Sequence, residues 1–176
     1  MRKLRLLVAF VTLALSATLC AASPQAFLLT FDIGGNQGTA SLLSNSLGGG
    51  QYWATSGTLN VTAGADVGTY SLFSGGPSTF SSPSGAFIAD NVLYSPSDPV
   101  LDVYGLLFSG SGLEINIWGN SPGNYSFYSW DGSGFNVAAA GPSTVSLQPV
   151  PEPASMLLLG NGLLILGGAI RKKMLR

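Results

Sequence analysis

Positive charge is what most of this chain lacks. All seven Lys and Arg residues stand in two terminal segments, Arg2 to Arg5 and Arg171 to Arg176, and there is no His anywhere. The stretch between them, Ser23 to Val150, carries only carboxylates: Asp32, Asp66, Asp90, Asp98, Asp102, Glu114 and Asp131. Such a surface repels phosphates and has no cation to set against them, so DNA and RNA are excluded as partners. Without His or Lys the body cannot assemble a Ser-His-Asp, Cys-His or Ser-Lys arrangement. The single Cys is Cys20, close to the first residue, so disulfides and zinc sites of the usual kinds are excluded from the body too.

Helical periodicity is also missing from the body, whereas period-two alternation is plentiful. Phe27, Leu29, Phe31 and Ile33 alternate with Leu28, Thr30 and Asp32, which sets four large apolar side chains on one face of an extended strand. Leu59, Val61 and Ala63 repeat the pattern, as do Leu113, Ile115 and Ile117, and then Tyr125 and Phe127. Between these runs lie turn signals such as Gly34-Gly35-Asn36, Gly48-Gly49-Gly50 and Asp131-Gly132, the last placed to join Tyr125–Trp130 and Phe135–Ala139 in a hairpin. The expectation is one all-β domain, an antiparallel β-sandwich or jelly roll of eight to ten short strands. Its supply of Phe, Tyr, Trp, Leu and Val is too rich for a disordered chain.

A carboxylate pair is the catalytic apparatus left open by this composition, and glycosidases use one. Asp90, Asp98, Asp102 and Glu114 are close enough in sequence to meet in a sheet. However, Glu114 alternates with core positions and Asp98-Pro99 is a turn dipeptide, so solvation of an apolar domain is the favoured use and the reading is non-enzymatic. No cofactor is expected. A structural calcium would draw on Asp90-Asn91, on Asp98 to Asp102 or on Asp32 with Asn36, although no stretch has the spacing of an EF-hand loop. Aromatic rings that face away from the core offer contact with glycans, and Trp118, Tyr128 and Trp130 are the candidates, Trp118 first because Gly119-Asn120 comes next at a strand end.

The two ends carry instructions of another kind. Arg2, Lys3 and Arg5, then the apolar run Leu6 to Leu19, then Cys20-Ala21-Ala22 read as a secretory signal peptide over residues 1–22. The secreted β-rich domain is then 23–147, and 148–176 is a linker leading into an apolar tail with a basic end. There, Pro151-Glu152-Pro153 precedes the uncharged run Ala154 to Ile170, and Arg171, Lys172, Lys173 and Arg176 end the chain. As a helix of 1.5 Å rise the run covers roughly 25 Å, enough for a marginal transmembrane span, and the basic cluster keeps its far side cytoplasmic. Pro153 marks the earliest point at which that helix can begin.

A Pro-Glu-Pro triplet, a short Leu/Gly-rich span and a basic cluster in that order resemble the PEP-CTERM sorting signal of Gram-negative bacteria. The resemblance implies processing by an exosortase, a membrane-embedded enzyme, with transient residence in the inner membrane and delivery to the cell surface or extracellular matrix. The run Asp90 to Trp130, DNVLYSPSDPVLDVYGLLFSGSGLEINIWGNSPGNYSFYSW, is similar to β-rich bodies that accompany this signal. Together these imply an exported structural or adhesive protein associated with exopolysaccharide. The alternatives are a carbohydrate-binding protein or carboxylate-dependent carbohydrate-active enzyme, and a permanently membrane-anchored periplasmic domain.

Overall fold

The computed structural model describes residues 24–151. The expected signal peptide, the transmembrane run 154–170 and the basic tail lie outside the described residues. Within them there are eleven strands and no helix. The first four are β1 (Gln25–Ile33), β2 (Asn36–Gly48), β3 (Gln51–Ala63) and β4 (Gly68–Leu72), each antiparallel to the next. The last four, β8 (Leu106–Gly110), β9 (Leu113–Ser121), β10 (Asn124–Trp130) and β11 (Phe135–Val150), form a second meander. Three short strands occupy the connection: β5 (Phe80–Ser81), β6 (Ile88–Ala89) and β7 (Val92–Tyr94).

The expected sandwich is wrong. The two meanders do not face one another as separate sheets, because they are hydrogen-bonded along both of their borders. At one border β1 pairs with β11 from Ala26↔Val150 to Ile33↔Ser143. At the other, β4 meets β8 at Ser71↔Ser109 and Leu72↔Phe108, and the Phe73 N–H extends the contact to the Leu107 carbonyl. With β2 also bound to β3, eight strands close into a barrel and β7 adds a ninth at the start of β3. Closure removes the open edges that two stacked sheets would each have kept.

Alternation decides what fills the barrel. Phe27, Leu29, Phe31 and Ile33 point inward as expected, together with Leu59, Val61, Phe108, Ile115, Ile117, Tyr125 and Phe127. Phe31 stacks on Phe127 with ring centres 5.8 Å apart, and Phe27 meets Tyr52 edge to face at 4.8 Å. Side chains therefore occupy the axis, as in other eight-strand barrels of small bore. Glycine makes room where strands run closest: a Cβ on Gly38 would strike the Asn60 carbonyl oxygen and the Phe31 ring.

The connection from Phe73 to Gly105 is a second layer. Its hairpin β5–β6 lies over the outer face of β8, where Phe87 and Ala89 bury Leu107 and draw in Phe73, Phe80, Tyr128 and Trp130. Beyond it, Leu93, Val100 and Leu101 return to the main core. Asn91, fully buried, holds the layer in place: its amide donates to the Phe73 carbonyl at 2.8 Å and accepts from the Leu107 N–H at 3.0 Å. Its own backbone sits at φ 57°, a region in which Asn is among the few residues at ease.

β11 runs further than expected, since Gln148, Pro149 and Val150 are strand residues paired with Leu28, Phe27 and Ala26 and not the start of a linker. It pairs with β10 through residues up to Pro142 and with β1 from Ser143 onward. Having one partner at a time leaves the opposite edge free, which is where a strand tolerates Pro142 and Pro149.

Candidate functional site

Inward and outward parity on β9 and β10 places Trp118, Tyr128 and Trp130 together on the outer face of the barrel. Ile115, Ile117, Tyr125 and Phe127 point in, so the alternate residues must point out. The hairpin turn at Asp131 then brings Phe135 back beside Trp130. This turn is held by the Asp131 carboxylate, which accepts from the N–H groups of Ser133 and Gly134 and from the Ser133 hydroxyl. Those donors hold the Asp131 carboxyl below the ordinary carboxylate range.

The result is a continuous band of rings. Trp118 and Tyr128 lie 4.8 Å apart, Tyr128 and Phe135 5.7 Å, and Phe135 and Trp130 5.1 Å, the last two edge to face. Phe87 of the outer layer meets Phe135 edge to face at 5.9 Å and joins the band to that layer. Trp118, Tyr128 and Trp130 are half-buried, and Phe135 is 54% exposed. Sequence pattern alone pointed to the first three and missed Phe135, whose signal was its place opposite Trp130 across the Asp131-Gly132 turn.

A polar flank adjoins the open end of the band. The Trp118 indole N–H donates to Asn120 Oδ1 at 3.1 Å, and the Asn120 amide donates to Asn124 Oδ1 and to Ser126 Oγ. These bonds fix the Trp118 ring against Tyr128 and present amide and hydroxyl groups beside it. Flat rings with amides alongside can stack on the C–H faces of sugars and hydrogen-bond their hydroxyls.

The carboxylates considered for catalysis are distributed differently. Asp90 and Asp102 meet, and Asp90 is buried; burial first, and then the neighbouring Asp102, push its carboxyl up to about 6. Asp102 itself accepts from the N–H groups of Tyr104 and Gly105, and from the Tyr94 hydroxyl at 3.3 Å. Asp98 accepts from the Gly123 N–H and the Tyr125 hydroxyl. That hydroxyl, raised to about 12 chiefly by burial, accepts in turn from the Val100 N–H. Glu114 takes two hydrogen bonds from Ser84 of the outer layer.

Asp90 lies beside Asp102 and is bonded to the Val92 N–H, whereas Asp98 and Glu114 are engaged by Tyr125 and Ser84, so the four carboxylates considered do not gather at one place. Asp32 and Asn36, the third set considered for calcium, diverge: Asp32 accepts from Gln37 at the surface while the buried Asn36 amide donates to the Ile33 carbonyl. Among the described residues no group of three or more carboxylates converges.

A closed antiparallel β-barrel with an aromatic band on its outer wall is the class of module that this chain presents. Its destination is written in the segment beyond the barrel: residues 149–173 match the family model of the PEP-CTERM protein-sorting motif, so the chain is a PEP-CTERM sorting-domain-containing protein, exported and directed to exosortase. The matched region opens inside β11, at Pro149 and Val150. Of the expected sorting residues, Pro151 is exposed at the barrel's end, and Glu152, Pro153, Arg171, Lys172, Lys173 and Arg176 lie outside the described residues. No curated protein and no solved structure matches the chain.

Proposed function

We propose that the barrel is a non-enzymatic matrix protein that adheres to neutral exopolysaccharide through the band Trp118–Tyr128–Phe135–Trp130. The observation that carries this reading is a row of rings held 4.8 to 5.7 Å apart on the outer wall, with Phe135 more than half exposed and the Asn120–Asn124 flank beside Trp118. A body with no Lys, Arg or His offers an acidic glycan no countercharge, so the ligand class is neutral. The fate of the carboxylates supports a binding role over hydrolysis: Asp90 is buried beside Asp102, and Asp98 and Glu114 are bonded to the chain. Tethering by the run 154–170 is transient in this reading, and exosortase cleavage near Pro151–Pro153 releases the barrel to the surface.

The test is affinity electrophoresis and tryptophan fluorescence of the full chain against neutral and uronic-acid polysaccharides. Neutral glycans retard the protein, and Trp118→Ala or Phe135→Ser weakens retardation about tenfold, equivalent to about 1.4 kcal/mol. Equal binding by these variants, or preference for the acidic glycan, overturns the proposal. Glycan shortening that disappears in Asp90→Asn would establish the enzyme alternative instead.

A further inference from the structure

The outer wall where β11 ends carries an apolar surface distinct from the aromatic band. Register sets Val150, Ala26 and Leu43 side by side across β11, β1 and β2. Leu28 follows Ala26 on the same face of β1, and Leu47 continues the face of β2. Leu28, Leu43, Leu47 and Val150 are 38%, 46%, 45% and 43% exposed. Ser41, Ser56 and Thr58 line the shallow groove beside Leu43, so the surface is apolar with a hydroxyl fringe and contains no charge. Asp32 is the carboxylate on this face of β1, six residues from Ala26 and so about 20 Å away.

We infer that this surface lies against the phospholipid bilayer while the chain is still attached to its sorting tail. The inference rests on the reading of the tail as a membrane span, in which the uncharged run from Ala154 enters the bilayer. Val150 belongs to the patch and to the last paired position of the barrel, and Ala154 is four residues later. Even fully extended, that link reaches about 14 Å, so Val150 stays within that distance of the span's start however the barrel turns. Exposed Leu and Val there enter the headgroup–acyl boundary, as the apolar face of an interfacial helix does to a depth of about 5–10 Å. A body bearing only negative charge is repelled by anionic lipid. A charge-free wall can approach without that repulsion, and docking it leaves the carboxylates elsewhere on the barrel in water. It also holds the Pro-Glu-Pro segment at the bilayer surface, where a membrane-embedded processing enzyme works.

The test uses the full chain with Cys20→Ser, reconstituted in phosphatidylethanolamine/phosphatidylglycerol vesicles and labelled with an environment-sensitive fluorophore at one introduced thiol. Leu43→Cys and Leu28→Cys report on the patch, and Ile88→Cys, 54% exposed on the outer layer, serves as the control. Flotation with the vesicles that is lost when residues 154–176 are deleted reads attachment by the tail, as distinct from insertion of the apolar run Leu6 to Leu19, and quenching by nitroxide-bearing lipid reads contact by the wall. Docking gives several-fold stronger quenching and a blue-shifted emission at positions 43 and 28 relative to 88. Co-flotation with equal quenching at all three sites overturns the docking and leaves the tail reading intact. Failure to float overturns the tail reading and the docking that depends on it. Shielding of positions 43 and 28 from water without lipid quenching, growing with protein concentration, identifies a second copy of the chain as the occupant and overturns the bilayer.

Discussion

Asp90 is the residue at which charge and burial oppose each other most directly. Its carboxyl is raised from 3.8 to about 6, so the folded chain takes up a proton at this site before the unfolded chain does. Stability from this group is complete below about pH 4 and is lost as pH rises toward and past about 6, by at most about 3 kcal/mol. Asp90→Asn can keep the acceptor for the Val92 N–H, bonded at 3.0 Å, and add a donor to Asp102. Urea denaturation at pH 4 and pH 8 should show the parent chain weaker at pH 8 and the variant with most of that difference removed. An unchanged difference would place the pH dependence elsewhere. The same residue illustrates the limit of reading a sequence at this scale: Asp90, Asp98 and Asp102 look alike in the chain, but one is buried, one caps the Tyr125 hydroxyl and one gathers backbone donors.

At the scale of elements, one buried side chain ties the outer layer to the barrel at both of its ends. Asn91 bonds Phe73 before the layer and Leu107 after it, and its backbone carbonyl accepts from the Ala54 N–H of β3. Asn91→Ala leaves a buried carbonyl and a buried N–H without partners and puts Ala at positive φ, for a loss of about 2–4 kcal/mol. Because Phe87 and Ala89 cover Leu107, the variant should also bind hydrophobic dye and be cut within 74–88 by protease while the barrel strands persist. Loss of all structure together would show that barrel and layer fold as one unit. Strand existence was legible from the chain, because alternation such as Phe27-Leu29-Phe31-Ile33 needs only a buried face and a solvated one. The outer layer was not legible: Phe73, Phe80 and Phe87 sit among Gly, Ser and Pro with no period, and their burial comes from the outer face of β8, which no local pattern reveals.

For the whole molecule, closure is the decisive property. β2 and β3 pair along almost their whole length, and Gly38 lets their backbones approach where Phe31 fills the interior. Gly38→Val should lower unfolding free energy by about 2 kcal/mol or more in urea titrations, through overlap with the Asn60 carbonyl. Gly134→Ala, with open space around its Cβ position, should be close to neutral. Equal effects would mean that the loss reflects general glycine replacement and that closure is not especially crowded at Gly38.

Some of this protein was determined by its sequence alone. Alternation dictated an all-β body, the absence of Lys, Arg and His dictated an acidic surface without the common catalytic groups, and Pro-Glu-Pro with the apolar run and basic cluster dictated the sorting address. Each is a property of the linear chain, readable from composition or from the order of residues without knowing which distant residues meet. Tertiary structure decided what depends on distant residues meeting. A sandwich and a barrel require the same alternation and differ in whether β11 finds β1, 110 or more residues away at every pair, and whether β4 finds β8. The same long-range pairing assembled Trp118, Tyr128, Trp130 and Phe135 into one band and Ala26, Leu28, Leu43 and Val150 into one wall. Side-chain parity was encoded along each strand, but register between strands was set only when the sheet closed.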